Sequence, residues 1–270
     1  MTQYWSSLVR YKAFQMHVYP LINYVDAATT CSQATMAMQA GSSGIVVTTN
    51  NGHDLEVMSV VAEIKLTHPS LKVGLNAEQT SPMKTLMFAI EAHLDMVWFN
   101  DIGFGPSGLS FEASQLAECA RNNAQIKIFV SLASAYTWNA KDPLAAEAAK
   151  FSTIKHCGAN RDCSIVPGSM CAPDIARQLV GLGFVPLMSW SEGNSDGQQS
   201  FKRATEIFDY TQGRFAIASG TGPITVFGRA PYITHIIEIN ESCPTESSER
   251  LSHLKSLVAR VDGFDPMLLV

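Results

Sequence analysis

Glu78 and Asp101 are the residues whose type and placement best suit proton transfer. Each closes a short apolar run, LKVGLNAE and DMVWFND, and the two runs are consecutive beats of one pattern. Two carboxyl groups facing one cavity can divide the general-acid and general-base roles when their surroundings separate their pKa values. Either residue alone would also suit a helix N-cap or a loop. The case for the pair rests on both ending runs of the same kind.

Neutral hydrogen-bonding side chains recur at equivalent places. Asn23 and Asp26 follow one apolar run, and Thr48, Thr49, Asn50 and Asn51 end the next. Asn76, Asn100, Ser131, Ser134, Ser169, Ser189, Ser191 and Glu192 continue the series, and Ser219 and Thr221 close it. Amides and hydroxyls in such number suit a substrate with many hydroxyl groups. Asn23, Asn50, Asn76, Asn100, Ser189 and Glu192 are the candidate substrate-binding residues. A further segment, SGTGPITVFGR, holds Ser219, Gly220, Thr221, Gly222 and Arg229. A Gly-rich turn offers free backbone N–H groups to an anion and Arg229 adds charge, so these five are the candidate phosphate site.

Other chemistries lack their residues. No lysine ends any of these runs, which disfavours a Schiff-base aldolase. No histidine pair has metal-binding spacing, and His53, in NNGHD, is the one histidine expected near the site; it reads as a loop residue more readily than as a base. Cys157, Cys163 and Cys171 with His156 are spaced too widely for a common zinc site and read as buried thiols. Trp98, Phe99 and Trp190 fall within apolar runs, where core packing is the ordinary role.

The elements that must position these groups alternate. VYPLINYV, GIVVTT, LKVGLNAE, DMVWFND, IKIFVSLAS, CSIVPGS, VPLMSWS and RFAIASGTG read as strands. Helical-period runs separate them, among them TTCSQATMAMQAG, DLEVMSVVAEIKLTHP, SPMKTLMFAIEAHL, SFEASQLAECARNN, DPLAAEAAKFSTIKHCG and APDIARQLVGLG. Ser81 and Pro82 have the types preferred at an N-cap and first helical position. Near-continuous apolar strands alternating with helices predict an α/β fold, a parallel (β/α)8 TIM-type barrel forming a single domain over residues 1–270. Its site lies at the C-terminal strand ends. THIIEIN, from Thr234 to Asn240, makes a ninth strand-like run. It is either a C-terminal extra strand before the last helix, or strand eight if CSIVPGS, broken by Pro167, is not a barrel strand.

Composition bounds the partners. The chain has 270 residues, 16% of them charged, and a formal net charge of −5. Few charges point to a large core, and the acidic balance with no basic stripe argues against nucleic acid. No run reaches the ~20 apolar residues needed to span a bilayer, and the opening MTQYWSSLVRYKAF lacks a signal-peptide pattern. Six cysteines in a chain of this length read as reduced thiols. A cytoplasmic protein with a small-molecule ligand and no membrane partner is expected. The apolar ending PMLLV leaves homo-oligomerisation as an option.

The segment from roughly Leu21 to Asn194 resembles the BtpA-like TIM-barrel proteins, a family associated with photosystem I biogenesis. The resemblance lies in GIVVTTNNGHD, in KVGLNAEQTSPMKTLMFAIEAHLDMVWFN, and in the spacing of IKIFVSLAS and PLMSWSEGN. It implies that Asn50, Asn76, Asn100 and Ser189 line the site. The family's Lys-His pair after the fifth strand is replaced here by Ala133-Ser134, and its His-Leu-Pro-Pro-like first strand by Tyr19-Pro20-Leu21-Ile22.

The leading expectation is an enzyme acting on a sugar, nucleoside or sugar phosphate by hydrolysis, isomerisation or lysis, with Glu78 and Asp101 as acid and base. One alternative is a lyase or hydrolase with Mg2+ as cofactor, held by Glu78, Asp101 and Asp26. Another is a non-catalytic ligand-binding or assembly-factor barrel.

Overall fold

Eight parallel strands close on themselves, with His17–Asn23 (β1) hydrogen-bonded on one side to Ile45–Thr49 (β2) and on the other to Ile233–Glu238 (β12). The computed structural model describes residues 17–49, 52–100, 102, 104–105, 108–109, 111–132, 153–155, 162–164, 172–190, 211, 215–219, 233–238 and 247–262. Between β2 and β12 the barrel runs through Val73–Ala77 (β3), Met96–Phe99 (β4), Lys127–Ser131 (β7), Val185–Trp190 (β10) and Phe215–Ser219 (β11). Two short hairpins stand outside it: Phe104–Gly105 (β5) with Gly108–Leu109 (β6), and Thr153–Lys155 (β8) with Asp162–Ser164 (β9).

The (β/α)8 architecture expected from the alternation is the one observed, with the strand count corrected at one place. Of the run from Cys163 to Ser169, the described residues Cys163 and Ser164 lie outside the barrel. They pair antiparallel within Thr153–Lys155, at the end of a run expected to be helical, and Pro167 has no N–H for a central ladder. Ile233–Glu238 is therefore the eighth barrel strand and not a C-terminal extra. It takes parallel partners on both sides, β1 and β11.

The helices described are Ala27–Gln39 (α1), Asp54–Thr67 (α2), Pro82–Glu91 (α3), Phe111–Asn122 (α4), Ala172–Gly181 (α5) and Ser247–Asp262 (α6). None is long and apolar enough to cross a membrane. Two of them start for a visible local reason. Asp26 caps α1, its two carboxylate oxygens accepting from the Thr29 backbone N–H at 2.8 Å and the Thr29 hydroxyl at 2.7 Å. Pro82 opens α3 after Ser81, although the Ser81 side chain makes no capping bond. Lys65, near the end of α2, donates to Asp95 at 2.7 Å and to the Leu71 carbonyl at 3.0 Å, pinning the helix to the starts of β3 and β4.

Strand alternation divides the buried apolar residues into two shells. Ile45, Val47, Val73, Leu75, Val97, Ile128, Val130, Ile217 and Ile236 face outward and pack under Val57, Val61, Leu86, Leu116 and Leu179 of the helices. The opposite face forms the barrel interior, where Tyr19, Leu21, Val46, Met96, Phe129, Leu187, Ala216, Ala218 and Ile237 meet. Large residues there face small ones: Gly74 leaves room for Met96, and Ala216 and Ala218 accommodate larger neighbours. Fully burying a side chain such as Phe129 contributes roughly 1.5–3 kcal/mol.

Candidate active site

The interior face of each strand continues upward into polar residues. In β3 the alternation that turns Gly74 inward also turns Asn76 inward, and Glu78 follows in phase just past the strand. In β4 the matching positions are Met96, Trp98 and Asn100, in β2 Val46 and Thr48, and in β7 Phe129 and Ser131. Register supports the grouping, since Thr48 pairs with Asn76 across β2 and β3.

These residues form a hydrogen-bonded layer over the apolar interior. The Thr48 hydroxyl donates to Asn76 Oδ1 at 2.7 Å, and Asn76 Nδ2 donates to the Trp98 carbonyl at 2.8 Å. The Trp98 indole N–H donates to the Ser131 hydroxyl at 2.8 Å. Four adjacent strands are thus tied by side chains at the C-terminal end of the barrel. A buried amide such as Asn76 is tolerated because its polar atoms have partners.

Glu78 lies above this layer. Its Oε1 accepts from Asn100 Nδ2 at 3.4 Å, while Oε2 is buried without a hydrogen-bond partner. Burial pushes its carboxyl up to about 7, opposed by the Asn100 hydrogen bond and assisted by the charge of Asp54. Near neutrality Glu78 is therefore poised to give or take a proton. Asp54, the first residue of α2, is itself buried, and its Oδ2 accepts from the Thr80 hydroxyl at 2.6 Å and the Gln79 backbone N–H at 3.1 Å. That carboxylate fastens the segment after β3 and adds a smaller electrostatic push to the burial that raises Glu78. Sequence reasoning missed it, although a carboxylate in the first turn of a helix beginning at the barrel mouth was the available signal.

The other expected site residues distribute as follows. Asn23 is the last residue of β1 and is exposed. Ser189 lies in β10 paired with Ala218, and Ser219 ends β11 paired with Trp190; both stand at the same end of the barrel as Glu78. Asn50, Asp101, Glu192, Gly220, Thr221, Gly222 and Arg229 lie outside the described residues, as do Ser134, Ser169 and the cysteine and histidine set at Cys157, Cys171 and His156. With the strand count corrected, the glycine-rich segment follows the seventh barrel strand.

One candidate is corrected. Asp26, expected as a Mg2+ ligand, is an exposed N-cap whose two oxygens are both engaged by Thr29, and those bonds hold its carboxyl below the usual range. Glu78 thus lacks that partner, and among the described residues no three His, Cys, Asp or Glu side chains gather to hold a metal. His53 precedes α2 as an exposed residue, 3.6 Å from Glu56 and with its ring 6.2 Å from that of Tyr24. The loop reading of His53 agrees with that placement.

No protein-family model matches the chain, and no curated protein sequence matches it either. Solved structures do. The 3-keto-L-gulonate-6-phosphate decarboxylase of Vibrio cholerae is 12% identical with a TM-score of 0.56, over 93% of this chain and 100% of that one. The 2-keto-3-deoxy-6-phospho-gluconate aldolase of Zymomonas mobilis is 14% identical with a TM-score of 0.50, over 94% and 95%. The phosphoribosyl anthranilate isomerase of Thermus thermophilus is 12% identical with a TM-score of 0.52, over 93% and 100%. At such identities the likeness is one of fold.

Proposed function

We propose that the protein is an enzyme that isomerises or cleaves a small phosphorylated, hydroxyl-rich substrate, with Glu78 as its proton-transfer group. One observation carries this reading: a carboxyl with a proton affinity near neutrality, at the C-terminal end of the barrel, whose Oε2 has no partner. A buried polar atom left unpaired costs stability, and a substrate hydroxyl or carbonyl oxygen is the partner that would satisfy it. Asn100 steadies Oε1, so that Oε2 is the atom that delivers the proton. Asp101 is the proposed second carboxylate, and Ser189 the proposed hydroxyl of the opposite wall.

The phosphoryl group is assigned to the segment from Ser219 to Arg229, after the seventh barrel strand, where barrels of this type often bind phosphate. The names of the three structural neighbours, each built on a phosphorylated sugar-derived compound, add support by analogy of fold. Schiff-base chemistry is disfavoured at this end. Lys127 begins β7, at the opposite end of the barrel from Glu78. The proposal includes kinship with the BtpA-like barrels, supported by Asn76 and Asn100 standing at neighbouring strand ends.

The test is a turnover screen over sugar phosphates and the corresponding free sugars, run on the wild type and Glu78→Gln. The expected result is turnover of a phosphorylated substrate that is lost in Glu78→Gln while thermal-shift binding persists. Unchanged turnover in Glu78→Gln would remove Glu78 from the mechanism. Binding without turnover of any substrate would favour a ligand-binding barrel instead.

A further inference from the structure

The opposite, N-terminal end of the barrel gathers a second set of ionisable groups. His17 opens β1 and pairs in register with His235 of β12, and their rings stack at 5.3 Å between centroids. Lys127 opens β7, which is not a neighbour of β12, and reaches across the barrel floor to place Nζ 2.6 Å from His235 Nε2. Lys72, immediately before β3, acts on all three of these groups, and His17 Nδ1 lies 3.4 Å from the Ser43 hydroxyl. The set grades from the exposed Lys72, through His17 and Lys127, to the buried His235.

Tyr19 stacks with both His17 and His235, and among the described residues the one carboxylate charge that reaches this end through Tyr19 is that of Asp95. Asp95, beside Lys127 in the adjoining strand segment, turns to the outer face, where Lys65 at 2.7 Å and the Val73 backbone N–H at 2.9 Å take it up. An ammonium carries three donors, and the contact to His235 engages one of those of Lys127. Burial and mutual repulsion hold His17, Lys127 and His235 toward their neutral forms. Basic groups converging from separate elements onto one end, each able to take up a proton and donate it, form the surroundings that a multiply charged oxyanion satisfies.

We infer that the N-terminal end of the barrel is a second binding site, in which a phosphate group is held by Lys127, Lys72 and His17 over the buried His235. The phosphate belongs either to inorganic phosphate or to a phosphorylated small molecule. Its binding draws protons onto the two imidazoles. This site is independent of the one at Glu78.

The test is NMR of the histidine ring resonances in the full-length protein, assigned with His17→Asn. Inorganic phosphate and glycerol 3-phosphate are titrated separately at constant ionic strength. The His17 and His235 resonances are expected to shift and their titration midpoints to rise. Apparent affinity is expected to fall roughly tenfold in Lys127→Met and in Lys72→Met, the loss of one charge-assisted hydrogen bond. Lys72 is exposed, so its variant keeps the test alive if Lys127→Met does not fold. A response to both anions assigns free phosphate as sufficient, and a response to glycerol 3-phosphate alone assigns a phosphorylated small molecule. Three results would overturn the site: neither anion moves these resonances, Lys72→Met binds as the wild type does, or Arg229→Ala abolishes the shifts.

Discussion

The Thr48 hydroxyl donates to Asn76 Oδ1 at 2.7 Å, and this bond orients the whole polar layer at the C-terminal end of the barrel. It leaves the Asn76 Nδ2 group facing the Trp98 carbonyl, to which it donates at 2.8 Å. Removing the amide therefore strands two buried groups at once. Asn76→Ala is expected to lower stability by about 1–3 kcal/mol, because unsatisfied buried polar groups retain their desolvation cost. Urea unfolding checks this through a lower midpoint at an unchanged slope. An unchanged midpoint would mean that the layer does not depend on the amide.

Glu78 makes stability and activity depend on pH in a stated direction. The unfolded chain releases this proton near 4.5 and the folded chain at about 7. Between these values the folded state binds more protons, so stability falls as pH rises through the window and the loss is complete above it. Glu78→Gln is expected to flatten that slope and to melt higher than the wild type at pH 8. If Glu78 is the general acid, kcat/KM falls above about pH 7. Asn100→Leu moves that limb to higher pH, since the Asn100 hydrogen bond favours the carboxylate. A limb that stays in place in Asn100→Leu would assign it to another group.

Much of this was legible from residue types. Short apolar runs located seven of the eight barrel strands, because strands buried on both faces need no alternation and stand out against amphipathic helices. The eighth was misplaced because Cys163–Ser169 is as apolar as a barrel strand, and Pro167 was the sign against it. Asn76, Glu78 and Asn100 were readable as strand-end groups, but the bond between Thr48 and Asn76 was not, since register is set by the pairing of strands. Asp26 looked like a ligand and is a cap, two roles that use the same carboxylate. The Lys127–His235 contact joins residues 108 apart in sequence, and only barrel closure brings them together.

That contact predicts acid sensitivity of the opposite sign to Glu78. The imidazole of His235 is held well below its ordinary 6.5 by burial first, then by Lys127, His17 and Lys72, and His17 is lowered by burial, Lys127 and Lys72. Below 6.5 the unfolded chain takes up protons that the folded chain refuses, so stability falls as pH drops through that value. His235→Gln is expected to flatten this acid limb. The comparison is best made in a Glu78→Gln background, where the opposing carboxyl is absent. Thermal unfolding from pH 7.5 to pH 5 measures it, and an equally steep limb in His235→Gln would assign the sensitivity elsewhere.

Two glycines are expected to differ in what they tolerate. At Gly74 an added Cβ would stand 2.5 Å from Met96 Cγ and 3.2 Å from Val46 Cγ2, both side-chain atoms of the barrel interior. Gly74→Ala should cost roughly 1–3 kcal/mol as overpacking. Combined with Met96→Ala it should cost less than the sum of the two single changes, because each relieves the other. At Gly44 the Cβ would fall on the carbonyl oxygen of Lys72, the acceptor of the Ile45 backbone N–H at 2.8 Å. Backbone cannot yield as a side chain does without breaking the link between β2 and the start of β3. Gly44→Ala is therefore expected to be the more destabilising, and no change at Met96 should rescue it. Urea midpoints of the two alanine variants and of both double variants decide the matter: a Gly44→Ala protein at least as stable as Gly74→Ala would show that the approach of Lys72 to β2 is not rigid.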